Sequence, residues 1–129
     1  MSNLKLKKID CIMFCVADLL KAAKFYEEVL GLEKGWFDQK EEMMGFLLPN
    51  TESEIVLHKD STLPNPDISF QVDNVDLFCD YYLNRGYKVE LEPIEVRCGK
   101  YAVLLDPDGN KIPIIDLTKF EGKPRYNEV

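Results

Sequence analysis

Apolar and polar residues alternate with period two from Asp10 to Val16, which predicts a β-strand. Ile12, Phe14 and Val16 share one side of it, and Cys11, Met13 and Cys15 the other. The period then changes. Leu19, Ala22, Ala23, Tyr26, Val29 and Leu30 recur at steps of three and four, the spacing of an amphipathic helix. Asp18 stands where a capping carboxylate accepts the first free N–H groups, and Gly31 where a left-handed residue ends the helix. Strands are predicted next around Lys34–Phe37, Met43–Leu48 and Glu54–Lys59, with Pro49–Ser53 as the turn between the last two. Ser61 to Pro66 contains two prolines and reads as a connector.

The same order then recurs. Ile68–Val72 is a strand, Asn74 a cap, and Val75, Phe78, Cys79 and Tyr82 a helical stripe stopped by Gly86. Strands follow over Lys88–Glu92, Lys100–Leu105 and Lys111–Ile115. Asp106-Pro107-Asp108-Gly109-Asn110 makes the turn between the last two, since proline presets φ and glycine accepts a positive one. A shift of 56 positions lays Ile12, Phe14 and Val16 on Ile68, Phe70 and Val72; a shift of 57 lays Ile55 and Leu57 on Ile112 and Ile114. Internal duplication fixes architecture before any other signal. The fold class is therefore α+β, with two β-α-β-β-β modules, over about residues 8–60 and 66–117, and a tail, 118–129, without a period. In each module the helix covers one face of its sheet. The other face needs the partner half, a second chain or a ligand.

Composition narrows the partners. A formal net charge of −7 and a pI near 4.7 argue against nucleic acid and against an anionic membrane surface. No apolar run approaches the ~18 residues that span a bilayer, and Met1–Lys8 lacks the apolar stretch of a signal peptide. Cys11, Cys15, Cys79 and Cys98 show no C-x-x-C spacing, so reduced thiols in a cytoplasmic protein are expected. The 129 residues suit a single domain.

Val16-Ala17-Asp18, the run Phe25–Leu32 and the Asp106–Asn110 turn together resemble the signatures of the vicinal oxygen chelate superfamily, over about Ile9 to Leu117. That superfamily includes glyoxalase I, extradiol dioxygenases, fosfomycin-resistance proteins and bleomycin-binding proteins. The resemblance implies paired modules whose mixed sheets curl around a shared cleft, and a homodimer. It also implies a divalent metal held by His, Gln or Glu from the first and last strands of the modules. Those positions match Cys11 and Asp67 on the first strands, and Val56 and Pro113 on the last. Valine and proline side chains have no donor, and two remaining ligands are too few for a tight site. The expectation is no metal and no other cofactor.

With the strands alternating as read, the cleft side carries Cys11, Met13, Cys15, Glu54, Val56 and His58 from the first module. The second supplies Asp67, Ser69, Gln71, Pro113 and Ile115. Trp36, Phe37, Phe46, Tyr101 and Tyr126 are aromatic candidates to stack on a planar ligand, or else packing residues. The expected ligand-binding set is Cys11, Met13, Trp36, Phe46, Val56, His58, Asp67, Ser69 and Pro113. Cys11, His58 and Asp67 are the candidates for catalysis. Each has a plainer reading: a small buried hydrophobe for Cys11, a surface strand-end residue for His58, a solvated strand start for Asp67. This soft, mostly apolar mixture suits a small organic molecule. The expected function is binding or sequestering such a molecule, as the drug-binding relatives do. The alternative is a divergent lyase, isomerase or dioxygenase with a non-standard site.

Overall fold

The computed structural model describes residues 4–49 and 51–120. Its elements are β1 (Lys8–Cys15), α1 (Leu19–Glu28), β2 (Glu33–Asp38), β3 (Met43–Leu47), β4 (Glu54–His58), β5 (Asp67–Gln71), α2 (Val75–Asn84), β6 (Lys88–Glu95), β7 (Lys100–Leu105) and β8 (Lys111–Ile115). A 3-10 turn, Thr118–Phe120, follows β8. This is the duplicated β-α-β-β-β order that the hydrophobic pattern predicts, in the α+β class. The chain divides into two compact units at Ser69, with the first residues up to Ile9 grouped with the second unit.

In the first unit β1 pairs with β4 in parallel, and β3 pairs antiparallel with both β4 and β2. Asp18 caps α1 by accepting from the backbone N–H of Lys21 at 3.1 Å, and Gly31 leaves the helix with φ of +73°. Leu19 and Ala23 of α1 pack on Met44, Phe46 and Leu57, with Phe14, Val16, Ala22, Tyr26, Leu32 and Ile55 around them. Phe46 and Leu57 are fully buried, each contributing about 1.5–3 kcal/mol of hydrophobic stabilisation. Tyr26 stacks between Phe14 and Phe46, at 6.4 and 6.0 Å between ring centres. Phe46 is thus a core residue beneath α1. Its expected place in the ligand-binding set is corrected by the pleat: Phe46 pairs with Ile55, and both side chains point at the helix.

The second unit repeats the plan. β5 pairs with β8 in parallel, and β7 pairs antiparallel with both β8 and β6. Asn74 caps α2 through the Leu77 N–H at 2.9 Å, and Gly86 has φ of +90°. Val75, Phe78 and Cys79 pack on Val72, Ala102, Leu104 and Ile114. β6 continues past its predicted end to Glu95, through Pro93. Its register against β7 shifts twice, and such irregular edges are where a strand proline is tolerated. The Asp106–Asn110 turn closes as expected. Asp106 accepts from the Asn110 side chain at 2.8 Å and from the Asn110 and Asp108 backbones at 2.8 and 2.9 Å, and Gly109 has φ of +87°. These bonds, the Asn110 side chain first, hold the Asp106 carboxyl below its ordinary range.

Candidate functional site

On β1 and β4 the residues that turn away from α1 are Cys11, Met13, Glu54, Val56 and His58. The parallel register sets Cys11 beside Glu54, Met13 beside Val56 and Cys15 beside His58. Cys11, Trp36 and Val56 form a buried cluster of their own, with Met13 and Met43 against it. Trp36 reaches this face because β3 carries Gly45 opposite it. A Cβ at Gly45 would fall 2.1 Å from Trp36 Nε1, so the indole lies directly on the glycine backbone. The indole N–H donates to Glu54 Oε1 at 3.0 Å in a buried hydrogen bond. The face is therefore a soft apolar surface of thiol, thioether and indole, with a carboxylate near one end and an imidazole at the other.

His58 is not the exposed strand-end residue of its plainer reading. It is 2% exposed. The backbone N–H of Asp60 donates to His58 Nδ1 at 3.0 Å, which puts the imidazole proton on Nε2. Nε2 is buried and has no hydrogen-bond partner among the described residues. The Asp60 turn is itself fixed, since Thr62 donates to Asp60 Oδ1 from its backbone at 2.9 Å and its hydroxyl at 2.5 Å. These bonds also lower the Asp60 pKa, the Thr62 side chain contributing most.

The equivalent face of the second unit differs. Ile112 and Ile114 point at α2, so Pro113 and Ile115 turn away from it. Val103 pairs with Pro113 and Gln71 with Ile115, and Ser69 precedes Gln71 by one pleat. Asp67, Ser69 and Gln71 are all buried, so the solvated reading of Asp67 does not hold. Sequence reading missed Asp116, which is 1% exposed just beyond β8. Its carboxylate accepts from the backbones of Val75, Lys100 and Thr118 at 2.8, 2.9 and 3.2 Å and from the Thr118 hydroxyl at 2.8 Å. It ties the start of α2 to β7 and to the turn after β8. An aspartate followed by Leu and Thr at a strand end was the available signal.

Phe37 parts from Trp36. It lines a separate groove of about 480 Å³ at the start of α1, with Leu19, Leu20, Gln39, Glu42 and Lys59. Lys59 pairs with Glu42 at 3.3 Å there. Tyr126 lies outside the described residues.

Of the four positions that the resemblance matches to metal ligands, Cys11 and Asp67 carry donor side chains and two do not. Val56 and Pro113 offer no donor, and Val56 is packed into the cluster with Cys11 and Trp36. Among the described residues no three His, Cys, Asp or Glu side chains gather into a metal-binding group. No described helix is long and apolar enough to cross a membrane.

Comparison with known proteins agrees with this architecture. The chain is similar to methylmalonyl-CoA epimerase from Mycobacterium tuberculosis, with a TM-score of 0.62 and 17% identity over 86% of this chain and 88% of that one. A superfamily member from Vibrio splendidus 12B01 gives 0.57 and 19% over 87% and 98%. A 2,3-dioxygenase from Pseudomonas sp. KL28 gives 0.66 and 16% over 87% of this chain but 41% of that larger one. These identities establish a shared fold. No curated protein matches in sequence. The profile of one family matches residues 8–114, and the chain belongs to that family, the Glyoxalase/Bleomycin resistance protein/Dioxygenase superfamily.

Proposed function

We propose that this chain is a small-molecule-binding member of the superfamily that works without a metal at the inherited position. The ligand is a small, mostly apolar organic molecule lying against the Cys11, Met13, Trp36 and Val56 surface. The observation that carries this reading is the fate of the metal slot. The position that the resemblance matches to a metal ligand on β4 is Val56, clustered with Cys11 and Trp36. A cation gains nothing from such a lining, whereas an apolar ligand gains about 25 cal/mol for each Å² it buries.

Trp36 is the sole tryptophan and sits on this face, so its emission reports occupancy directly. Titration with a library of small aromatic and aliphatic compounds, in the presence of a chelator, is expected to give saturable changes for a subset. Elemental analysis of protein prepared without chelator or affinity tag separates this reading from its alternative. A stoichiometric metal that vanishes in Cys11→Ala or Asp67→Ala would overturn it in favour of a divergent lyase, isomerase or dioxygenase.

A further inference from the structure

The geometry points to His58 as the specificity-determining donor of this face, selecting ligands that carry a neutral carbonyl oxygen. This rests on the binding reading above and adds to it the chemical class of the ligand. Three observations converge. His58 is 2% exposed, and its Nδ1 is occupied as an acceptor by the Asp60 N–H at 3.0 Å. That bond is held by a turn whose Asp60 carboxylate is bound twice by Thr62. The imidazole is therefore fixed in the tautomer that presents N–H at Nε2, and this donor has no partner among the described residues. Buried polar groups in folded proteins are paired in the large majority of cases, so a buried donor held in one tautomer with nothing to receive its proton awaits an acceptor.

The acceptor's charge follows from the neighbours. Cys11, Met13, Cys15, Trp36, Met43, Glu54 and Val56 share the face, and none is a cation. The nearest lysine in sequence, Lys59, is engaged by Glu42 at 3.3 Å beside the other groove. A carboxylate ligand would meet one neutral donor, with no compensating positive group on this face among the described residues. A ketone, ester or amide needs only the single N–H. Cys15, registered beside His58 on β1, supplies a polarisable apolar wall.

The test compares two neutral probes of nearly equal shape, acetophenone and cumene, which differ in the carbonyl oxygen. Trp36 emission measures affinity. The imidazole ¹⁵N spectrum of the sole histidine reads the tautomer without assignment. The free protein is expected to show a bare Nδ1 and a protonated Nε2, with the Nε2 proton shifting downfield on adding acetophenone. Acetophenone is expected to bind about tenfold more tightly than cumene, the worth of one hydrogen bond to a buried donor. In His58→Phe the preference for acetophenone should be lost or reversed, since its carbonyl then has no donor, while His58→Gln, which keeps an N–H donor, should restore part of it. Equal affinities in the wild-type protein, or a protonated Nδ1, would overturn the role of His58 while leaving the binding face intact. Failure of both probes to perturb Trp36 would overturn the binding reading itself, and this inference with it.

Discussion

Asp116 and His58 are buried polar residues at the ends of equivalent strands, β8 and β4, of the two repeated modules. They resolve the cost of burial in opposite ways. Asp116 receives four hydrogen bonds from Val75, Lys100 and Thr118, so every lone pair the fold uses is spoken for. His58 receives one and leaves Nε2–H unmatched. The first arrangement is structural, because removing the carboxylate would strand several donors. The second holds a side chain in a set orientation with its outer atom unused, which is the state expected of a group kept for something outside the fold. The sheet faces differ in the same sense. The first unit's face is thiol, thioether and indole, while the second's is serine, glutamine, valine and proline.

Five measurements break or sharpen this contrast. The largest effect belongs to Asp116→Ala, which leaves the buried Val75 N–H and the part-buried Lys100 N–H unpaired. It is expected to cost about 3 kcal/mol in urea unfolding. Gly45→Ala comes next. Its new methyl would overlap the Trp36 ring, which must move off the β3 backbone. A loss of about 2 kcal/mol and a red-shifted, more quenchable Trp36 emission are expected. Smaller still is a titration effect at Cys79, whose thiol burial pushes up to about 11. A raised thiol pKa favours the folded protein below the unfolded value of about 8.5 and loses that contribution as pH climbs towards 11. Unfolding midpoints should therefore fall between pH 8.5 and 11 in the wild type, and fall less in Cys79→Ala measured against its own neutral-pH value. In thiol-reagent kinetics at neutral pH, the part-exposed Cys15 should react before the buried Cys79. The smallest stability change is expected from His58→Phe, within about 1 kcal/mol of wild type, because loss of the acceptor for the Asp60 N–H, on an exposed residue, is offset by removal of an unmatched buried donor. A loss comparable to that of Asp116→Ala would place His58 among the structural residues.

The fold was legible because duplication made each module a check on the other. Asp18 and Asn74 were visible as caps, Gly31 and Gly86 as stops, and the alternation of Ile55, Leu57, Ile112 and Ile114 assigned the helix-facing sides correctly. The opposite sides of β1 and β4 followed from the same register, which brought Cys11, Met13 and Val56 together as read. What could not be read depended on side chains meeting across strands. Phe46 was misplaced because β3 contains two methionines and a glycine, and so has no alternation to fix its faces. The seat of Trp36 on Gly45, and its bond to Glu54, needed the β2–β3 register shift between Lys34 and Trp36. The burial of His58 was hidden because neighbouring Lys59 and Asp60 make the local sequence look solvated. Asp116 was passed over for a related reason. Only Thr118 is a local partner; Lys100 and Val75 lie 16 and 41 residues away, beyond any local pattern.

The central claim is that the first module's sheet face binds a small molecule without a cation. Trp36 emission during an acetophenone titration in excess chelator tests it most directly. A saturable change, unaltered when the chelator is omitted or a divalent metal is added, is the expected result. A flat trace, or a response that emerges only with added metal, would contradict the account.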